Sequence, residues 1–125
     1  MLGYAIVFVG AGIGGAMRYG VNIWSARAFG TAFPWGTFTV NVAGSLAMGL
    51  LAGWFAFRGD PGHWRLFLAT GVLGGFTTFS AFSLDVLLLI ERGEVAMAAL
   101  YVGGSVVLSV AGLFLGLWAM RALYA

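Results

Sequence analysis

One segment, Gly71-Val-Leu-Gly-Gly-Phe-Thr-Thr-Phe-Ser-Ala-Phe82, lies within a long uncharged region and yet is rich in residues that interrupt helices. Its glycines lower helical propensity, and its threonines and serine satisfy backbone groups that a break sets free. Unwound backbone at membrane depth is tolerated only where it is buried in protein or lines a cavity. The segment therefore predicts a broken membrane helix beside an ion or solute pathway. The alternative is a glycine-rich helix that packs tightly against its neighbours.

The composition indicates a membrane protein, because hydrophobic residues make up 62% of the chain and charged residues only 8%. A soluble domain carries roughly 25% charged residues. Uncharged runs cover residues 1–17, 28–57, 66–84 and 95–120, and a span needs about 20 apolar residues. We therefore expect one all-α integral membrane domain over residues 1–125, with spans at residues 2–27, 33–57, 64–89 and 95–122 and a broken third helix.

Glycine is unusually abundant, at 21 of 125 residues. Many glycines fall at small-xxx-small spacing, which lets membrane helices approach closely. These pairs are Gly10/Gly14, Gly12/Ala16, Gly49/Gly53, Gly71/Gly75 and Gly112/Gly116. Because four short helices enclose little of a pathway by themselves, we expect an oligomer.

The arginines are nearly balanced between the two membrane sides. The side of the termini and the second loop would carry Arg58, Arg65 and Arg121. The other side would carry Arg27 and Arg92, and also Arg18 if its side chain extends to that side. The orientation of a protein in the membrane normally follows the difference in Lys and Arg content between the short loops on its two sides. The balance predicts insertion in both orientations and permits an antiparallel homodimer. The alternative is that one charge or the insertion machinery fixes a single orientation.

The sequence gives little support to an enzyme. His63 is the single histidine and is expected in a surface loop, and Asp60, Glu91 and Glu94 are expected to be loop charges. Asp85 lies near the predicted end of the third helix, where we expect it to reach the interface or pair with an arginine. The absence of cysteine excludes disulfides and thiolate metal sites.

Arg18 and Asn41 are two of the polar residues that fall within predicted spans. Arg18 lies about 24 to 27 Å along a helix that starts at Met1, and we favour a structural role for it, by snorkelling or by capping carbonyls of another helix. Asn41 lies near the middle of the second apolar run and needs partners there. It either joins helices or presents its amide hydrogens to an anion.

Hydroxyl groups form a row on the last predicted helix. Tyr101, Ser105 and Ser109 are four residues apart, so they share one face over about 12 Å. Serines also bond back to their own helix and permit close packing, but hydroxyls donate to anions, and aromatic ring edges are weakly positive. Phe79 and Phe82, three apart after the break, would meet an anion edge-on.

At these residues the chain resembles the Fluc/CrcB fluoride channel family. The matching stretches are Gly14-Gly-Ala-Met-Arg-Tyr19, Gly36-Thr-Phe-Thr-Val-Asn-Val-Ala-Gly44 and Gly74-Gly-Phe-Thr-Thr-Phe-Ser-Ala-Phe82. The resemblance implies passive fluoride export across the bacterial cytoplasmic membrane by an antiparallel, dual-topology homodimer with two pores.

The resemblance also implies functional residues. It assigns the pores to Asn41, Phe79, Phe82, Tyr101, Ser105 and Ser109. It places a central structural Na⁺ on the backbone carbonyls of Gly74 and Thr77, and carbonyl oxygens suit such a hard cation. The main alternative is a small, proton-coupled multidrug-type exporter, which needs a carboxylate deep in a span. A third possibility is a structural membrane assembly protein whose glycines only pack.

Overall fold

A computed structural model describes residues 1–59 and 62–124, and the described chain is helical throughout its regular structure. Helix α1 covers Leu2–Phe29, α2 Trp35–Arg58, α4 Phe79–Glu91 and α5 Val95–Tyr124. Helix α3, residues 63–76, precedes α4 and forms the third apolar segment with it, His63–Glu91. Four segments are thus long and apolar enough to cross a membrane, which confirms the prediction of an all-α protein with four such helices.

The third segment changes its backbone conformation four times. It begins with an α-helical turn at His63–Arg65, becomes π-helical over Leu66–Leu73 and returns to α-helix at Gly74–Phe76. Thr77 and Thr78 are then extended, with ψ angles of 159° and 124°. Helix α4 starts at Phe79, where the Thr78 hydroxyl accepts a hydrogen bond from the Ala81 N–H at 3.2 Å. The glycine- and hydroxyl-rich stretch therefore contains two extended residues between helices.

Close packing at glycines holds the helices together as two parallel pairs. Helix α1 lies along α3, where a Cβ on Gly10 would meet the Phe67 carbonyl oxygen at 2.7 Å and one on Gly14 the Phe76 nitrogen at 2.8 Å. Helix α2 lies along α5, where a Cβ on Gly53 would meet Met120 Cβ at 2.6 Å. A Cβ on Gly12, by contrast, would meet nothing within 4 Å.

Glycines with positive φ end several of the helices. Gly30 follows α1 and Gly59 follows α2, with φ values of 79° and 85°, a conformation that glycine adopts without the Cβ penalty of other residues. Asp60 and Pro61, which belong to the second predicted loop, lie outside the described residues. His63, expected in that loop, is instead the exposed first residue of α3.

Much of the outer surface is apolar. Phe8 on α1, Leu100 and Phe114 on α5 are 81%, 68% and 64% exposed. One cluster of buried side chains contains Phe82, Leu89, Ala98 and Tyr101. The exposed apolar faces suit lipid or another protein surface, as expected for membrane spans.

Candidate functional site

A cavity of about 400 Å³ opens beside the extended residues. Its walls come from α2, the end of α3, the start of α4 and the middle of α5, and no charged side chain is among the residues that line it. The lining residues named by the sequence analysis are Asn41, Gly74, Thr77, Phe79, Phe82, Ser105 and Ser109. The fold therefore brings residues from three predicted spans to one space.

Asn41 joins α2 to the extended residues by two hydrogen bonds. Its Oδ1 accepts from the Thr78 N–H at 2.8 Å, and its Nδ2 donates to the Thr78 carbonyl oxygen at 3.0 Å. The amide thus pairs with one backbone unit much as a neighbouring strand would. Of the two roles considered for Asn41, the structure shows the joining of helices, and one Nδ2 hydrogen remains beyond this pair.

These contacts also release two carbonyl groups from their helical donors. In an uninterrupted helix the Thr78 N–H would donate to the Gly74 carbonyl and the Ala81 N–H to the Thr77 carbonyl. The Thr78 N–H donates instead to Asn41, and the Ala81 N–H to the Thr78 hydroxyl. The face of Gly74 that a side chain would occupy is also open, because a Cβ there would lie near the Ala69 oxygen alone, at 3.8 Å.

The two phenylalanines at the start of α4 differ in burial. Phe79 is 78% exposed, whereas Phe82 is 9% exposed. Their ring centroids are 5.5 Å apart, and Phe82 in turn lies 5.1 Å from the Tyr101 ring. Both rings line the cavity, so Phe82 forms part of its inner wall while Phe79 lies at its open side.

The hydroxyl row on α5 is divided between the cavity and the protein interior. Ser105 and Ser109 line the cavity, and Ser105 Oγ is enclosed with no hydrogen-bond partner within the described residues. Tyr101 is fully buried and is not a lining residue. Its hydroxyl donates to Asp85 Oδ2 at 2.9 Å.

This bond corrects the expectation for Asp85. The carboxylate is half-buried on α4 and accepts a hydrogen bond from the Tyr101 hydroxyl, and no ion pair with an arginine is found for it within the described residues. The helix continues six residues beyond Asp85 to Glu91, so the position is not a helix end. Within the described residues, the ion pair is formed by Arg92 Nη2 and Glu94 Oε2, which are 3.1 Å apart.

Arg18 lies on α1 away from the cavity lining. Its side chain is half-buried, and Nε is enclosed without a hydrogen-bond partner in the described part of the chain. An enclosed guanidinium N–H calls for an acceptor. Its structural role therefore stays a prediction.

Sequence reasoning missed part of the cavity wall. Gly44, Ser45 and Met48 line it together with Asn41. Their spacing of three, four and seven residues from Asn41 places all of them on one helix face, so that periodicity would have found them. A Cβ on Gly44 would overlap Thr77 Cγ2, so this glycine lets α2 approach the extended residues.

Comparison with known proteins gives a match along most of the chain. The model of a family described as CrcB-like protein, Camphor Resistance (CrcB), matches residues 5–117. A protein of Nitrobacter hamburgensis named fluoride-specific ion channel FluC 2 is 62% identical over 121 residues, which are 96% of this chain and 98% of the relative. A protein of Rhodopseudomonas palustris named fluoride-specific ion channel FluC is 60% identical over 121 residues, which are 96% of this chain and 98% of the relative. Another of that name, from Methylobacterium nodulans, is 62% identical over 122 residues, which are 97% of this chain and 98% of the relative.

Proposed function

This chain belongs to the CrcB-like protein family, and we propose that it is a multi-pass membrane channel that lets fluoride leave the cell passively. Its relatives are named as ion channels and not as enzymes, so the expectation that the chain is not an enzyme is confirmed. The observation that carries the proposal is the cavity, which combines Asn41, two phenylalanines and three serines with no charged lining residue. Such a wall offers an anion several weak donors.

Weak donors suit conduction better than one strong site. Fluoride is small and strongly hydrated, so the wall must replace water contacts, yet binding must stay weak or multi-site enough for the ion to leave. The hydroxyls of Ser105 and Ser109 and the free Nδ2 hydrogen of Asn41 are such donors. The ring edges of Phe79 and Phe82 add a weakly positive, water-excluding surface.

We infer that the working unit is an antiparallel homodimer with two pores. The near-balance of arginines between the two ends supports insertion in both orientations. The open side of the cavity supports a partner, because Phe79 is 78% exposed there. The Gly12/Ala16 pair also lies on the subunit surface, where it would permit close approach of a second copy.

A central sodium ion fits the extended residues. The carbonyls of Gly74 and Thr77 lose their helical donors, and the face beside Gly74 is open. Two copies facing each other would bring four such oxygens together, and oxygen ligands suit a hard cation. When bound, Na⁺ would neutralise these carbonyl dipoles and hold the two subunits in register.

Fluoride efflux from liposomes tests the function. Protein reconstituted in vesicles loaded with potassium fluoride should release fluoride to an electrode on addition of valinomycin, and should release it without a pH gradient. The proton-coupled exporter remains the alternative because Asp85 is a half-buried carboxylate within a span. Fluoride release only with a coupled proton flux, or none at all, would contradict the channel.

The cytoplasmic membrane of a bacterium is the proposed location. The four apolar segments and the ion channel names of the relatives indicate a multi-pass membrane protein. Passive export requires the pore to lie in the membrane that separates cytoplasm from surroundings, which supports this location.

A further inference from the structure

Helices α2 and α5 lie side by side along the cavity, in a register that their glycine contacts define. A Cβ on Gly112 of α5 would lie 3.5 Å from the Val42 carbonyl oxygen and 3.7 Å from the Leu46 nitrogen of α2. Gly112 therefore faces the turn of α2 that runs from Val42 to Leu46. Ser45 belongs to this turn, so it lies at nearly the same level of the subunit as Gly112.

The row of hydroxyls on α5 ends just before this level. Ser105 and Ser109 line the cavity, but the next lining residue at the same spacing is Leu113, whose side chain is apolar. Ser109 lies three residues, or about 4.5 Å, before Gly112 along the helix. Because Ser45 also lines the cavity, it continues the row of hydroxyls on the neighbouring helix, beyond Ser109.

The Ser45 hydroxyl is not used to hold the protein together. Other helical hydroxyls bond back to their own helix, as Thr77 and Ser83 do by donating to the carbonyl oxygens of Leu73 and Phe79 at 3.0 Å. Neither this bond nor any other hydrogen bond is found for the half-buried Ser45 within the described residues. Its single O–H donor is therefore available to an ion in the cavity.

We propose that Ser45 is a further ion-coordinating residue, which binds the anion after Ser109, beyond the end of the row on α5. The proposal rests on the proposed channel function. A conducted ion must exchange its water for groups of the protein at each step. The next lining residues of α2 and α5 are Met48 and Leu113, and neither side chain carries a donor. Ser45 therefore supplies the last side-chain donor on this part of the wall.

The test is fluoride efflux from liposomes that contain the full chain. S45A removes the hydroxyl but keeps a small side chain, so the packing of α2 is preserved. Efflux should fall by about tenfold, the lower end of what one hydrogen bond to a charged group contributes, with thermal unfolding in detergent unchanged. The matched control is S83A, because Ser83 bonds to its own helix and lies outside the cavity lining. Normal efflux in S45A, as in this control, would overturn the proposal and leave Ser45 a packing residue.

A thiol at the same position supplies a second, independent arm, because the chain has no cysteine of its own. S45C keeps a weak donor and should conduct until methyl methanethiosulfonate adds a thiomethyl group, which should fill the passage and block efflux. The same treatment should leave efflux through S83C unchanged. An S45C protein that stays unmodified, or that is modified without loss of efflux, overturns the proposal even if S45A does not fold. Absence of fluoride efflux from the unsubstituted protein would instead refute the channel function, so the two failures are distinguishable.

Discussion

At the scale of single residues, the Asn41 amide is the contact on which the site depends most. It satisfies both backbone groups of Thr78 at a half-buried position. We expect Asn41→Leu to leave these groups unpaired and to lower the free energy of unfolding by about 1–3 kcal/mol. Fluoride efflux should fall as well. Thermal unfolding in detergent and efflux from liposomes measure the two effects.

Two further variants distinguish the structural role of the Asn41 amide from its electrostatic effect on the ion. Asn41→Asp keeps an acceptor for the Thr78 N–H but loses the donor and adds a negative charge to the cavity, so efflux should fall further than in Asn41→Leu. Asn22→Leu applies the same change at an exposed asparagine of α1 and serves as the control. If Asn41→Leu matches that control in both measurements, the amide does not hold the extended residues.

Substitutions of Phe79 and Phe82 should lower fluoride efflux to a similar extent but should differ in their effect on the free energy of unfolding. Isoleucine keeps an apolar side chain and removes the ring edge, so either substitution should lower fluoride efflux by about tenfold. Phe79→Ile should change the free energy of unfolding by less than about 0.5 kcal/mol, because the ring is exposed. Phe82→Ile should cost more, because its ring contacts Tyr101. Phe114→Ile, at an exposed position of α5 outside the cavity lining, is the control. Normal efflux in both cavity variants would show that these two rings serve packing and not conduction.

At the scale of elements, Gly74 and Gly75 at the end of α3 have different structural roles. A Cβ on Gly75 would meet Ala11 Cα at 2.8 Å, whereas one on Gly74 has ordinary room. Gly75→Ala should therefore disturb the α1–α3 contact and cost about 1–3 kcal/mol. Gly74→Ala should leave the subunit folded and weaken the dimer if the open face beside it carries the sodium site.

Thr77 provides the internal control for this experiment. Its Oγ1 donates to the Leu73 carbonyl oxygen at 3.0 Å, and Thr77→Ser keeps that bond together with the backbone carbonyl. We expect it to be nearly silent in stability and assembly. Subunit stability is measured by unfolding in detergent and assembly by the monomer–dimer equilibrium in sodium or potassium. Equal dimerisation in both salts for all three proteins would argue against the cation.

The sequence predicted those features that depend on local chemistry. Long apolar runs predicted the four helices. The broken third helix, expected from glycines followed by hydroxyl residues, stays a prediction, and Thr77 and Thr78 in that stretch are extended. Contacts between distant residues were not predictable. Asn41 and Thr78 are 37 residues apart, and Asp85 and Tyr101 are 16 apart. Spacing alone also did not distinguish Gly12, which lies in open space, from Gly53, which meets Met120.

At the scale of the whole molecule, the two ends of the subunit differ in how their charges are paired. At the end of the α1–α2 and α4–α5 connections, Arg92 is bonded to Glu94 and to the Ala32 carbonyl. At the opposite end, Arg58 and Arg65 lie over the rings of Trp54 and Phe55 at 5.9 and 5.6 Å. Neither end gains a clear excess of arginines, and a small added charge should therefore decide the orientation.

Adding charge to one end is the direct test of dual topology. Ala28→Lys with Thr31→Lys adds two charges at the α1–α2 end, and His63→Lys with Ala122→Lys adds them at the other, all at exposed positions. Each pair should force one orientation, because lysine-rich ends stay on the cytoplasmic side. An antiparallel dimer then cannot form, so each doubly substituted protein should lose fluoride export, and coexpression of the two should restore it.

The chain has no cysteine, so Thr31→Cys alone should react with an impermeant thiol reagent from both sides of the membrane. Reaction from one side only, or full export by either doubly substituted protein alone, would show a single orientation and contradict the antiparallel dimer.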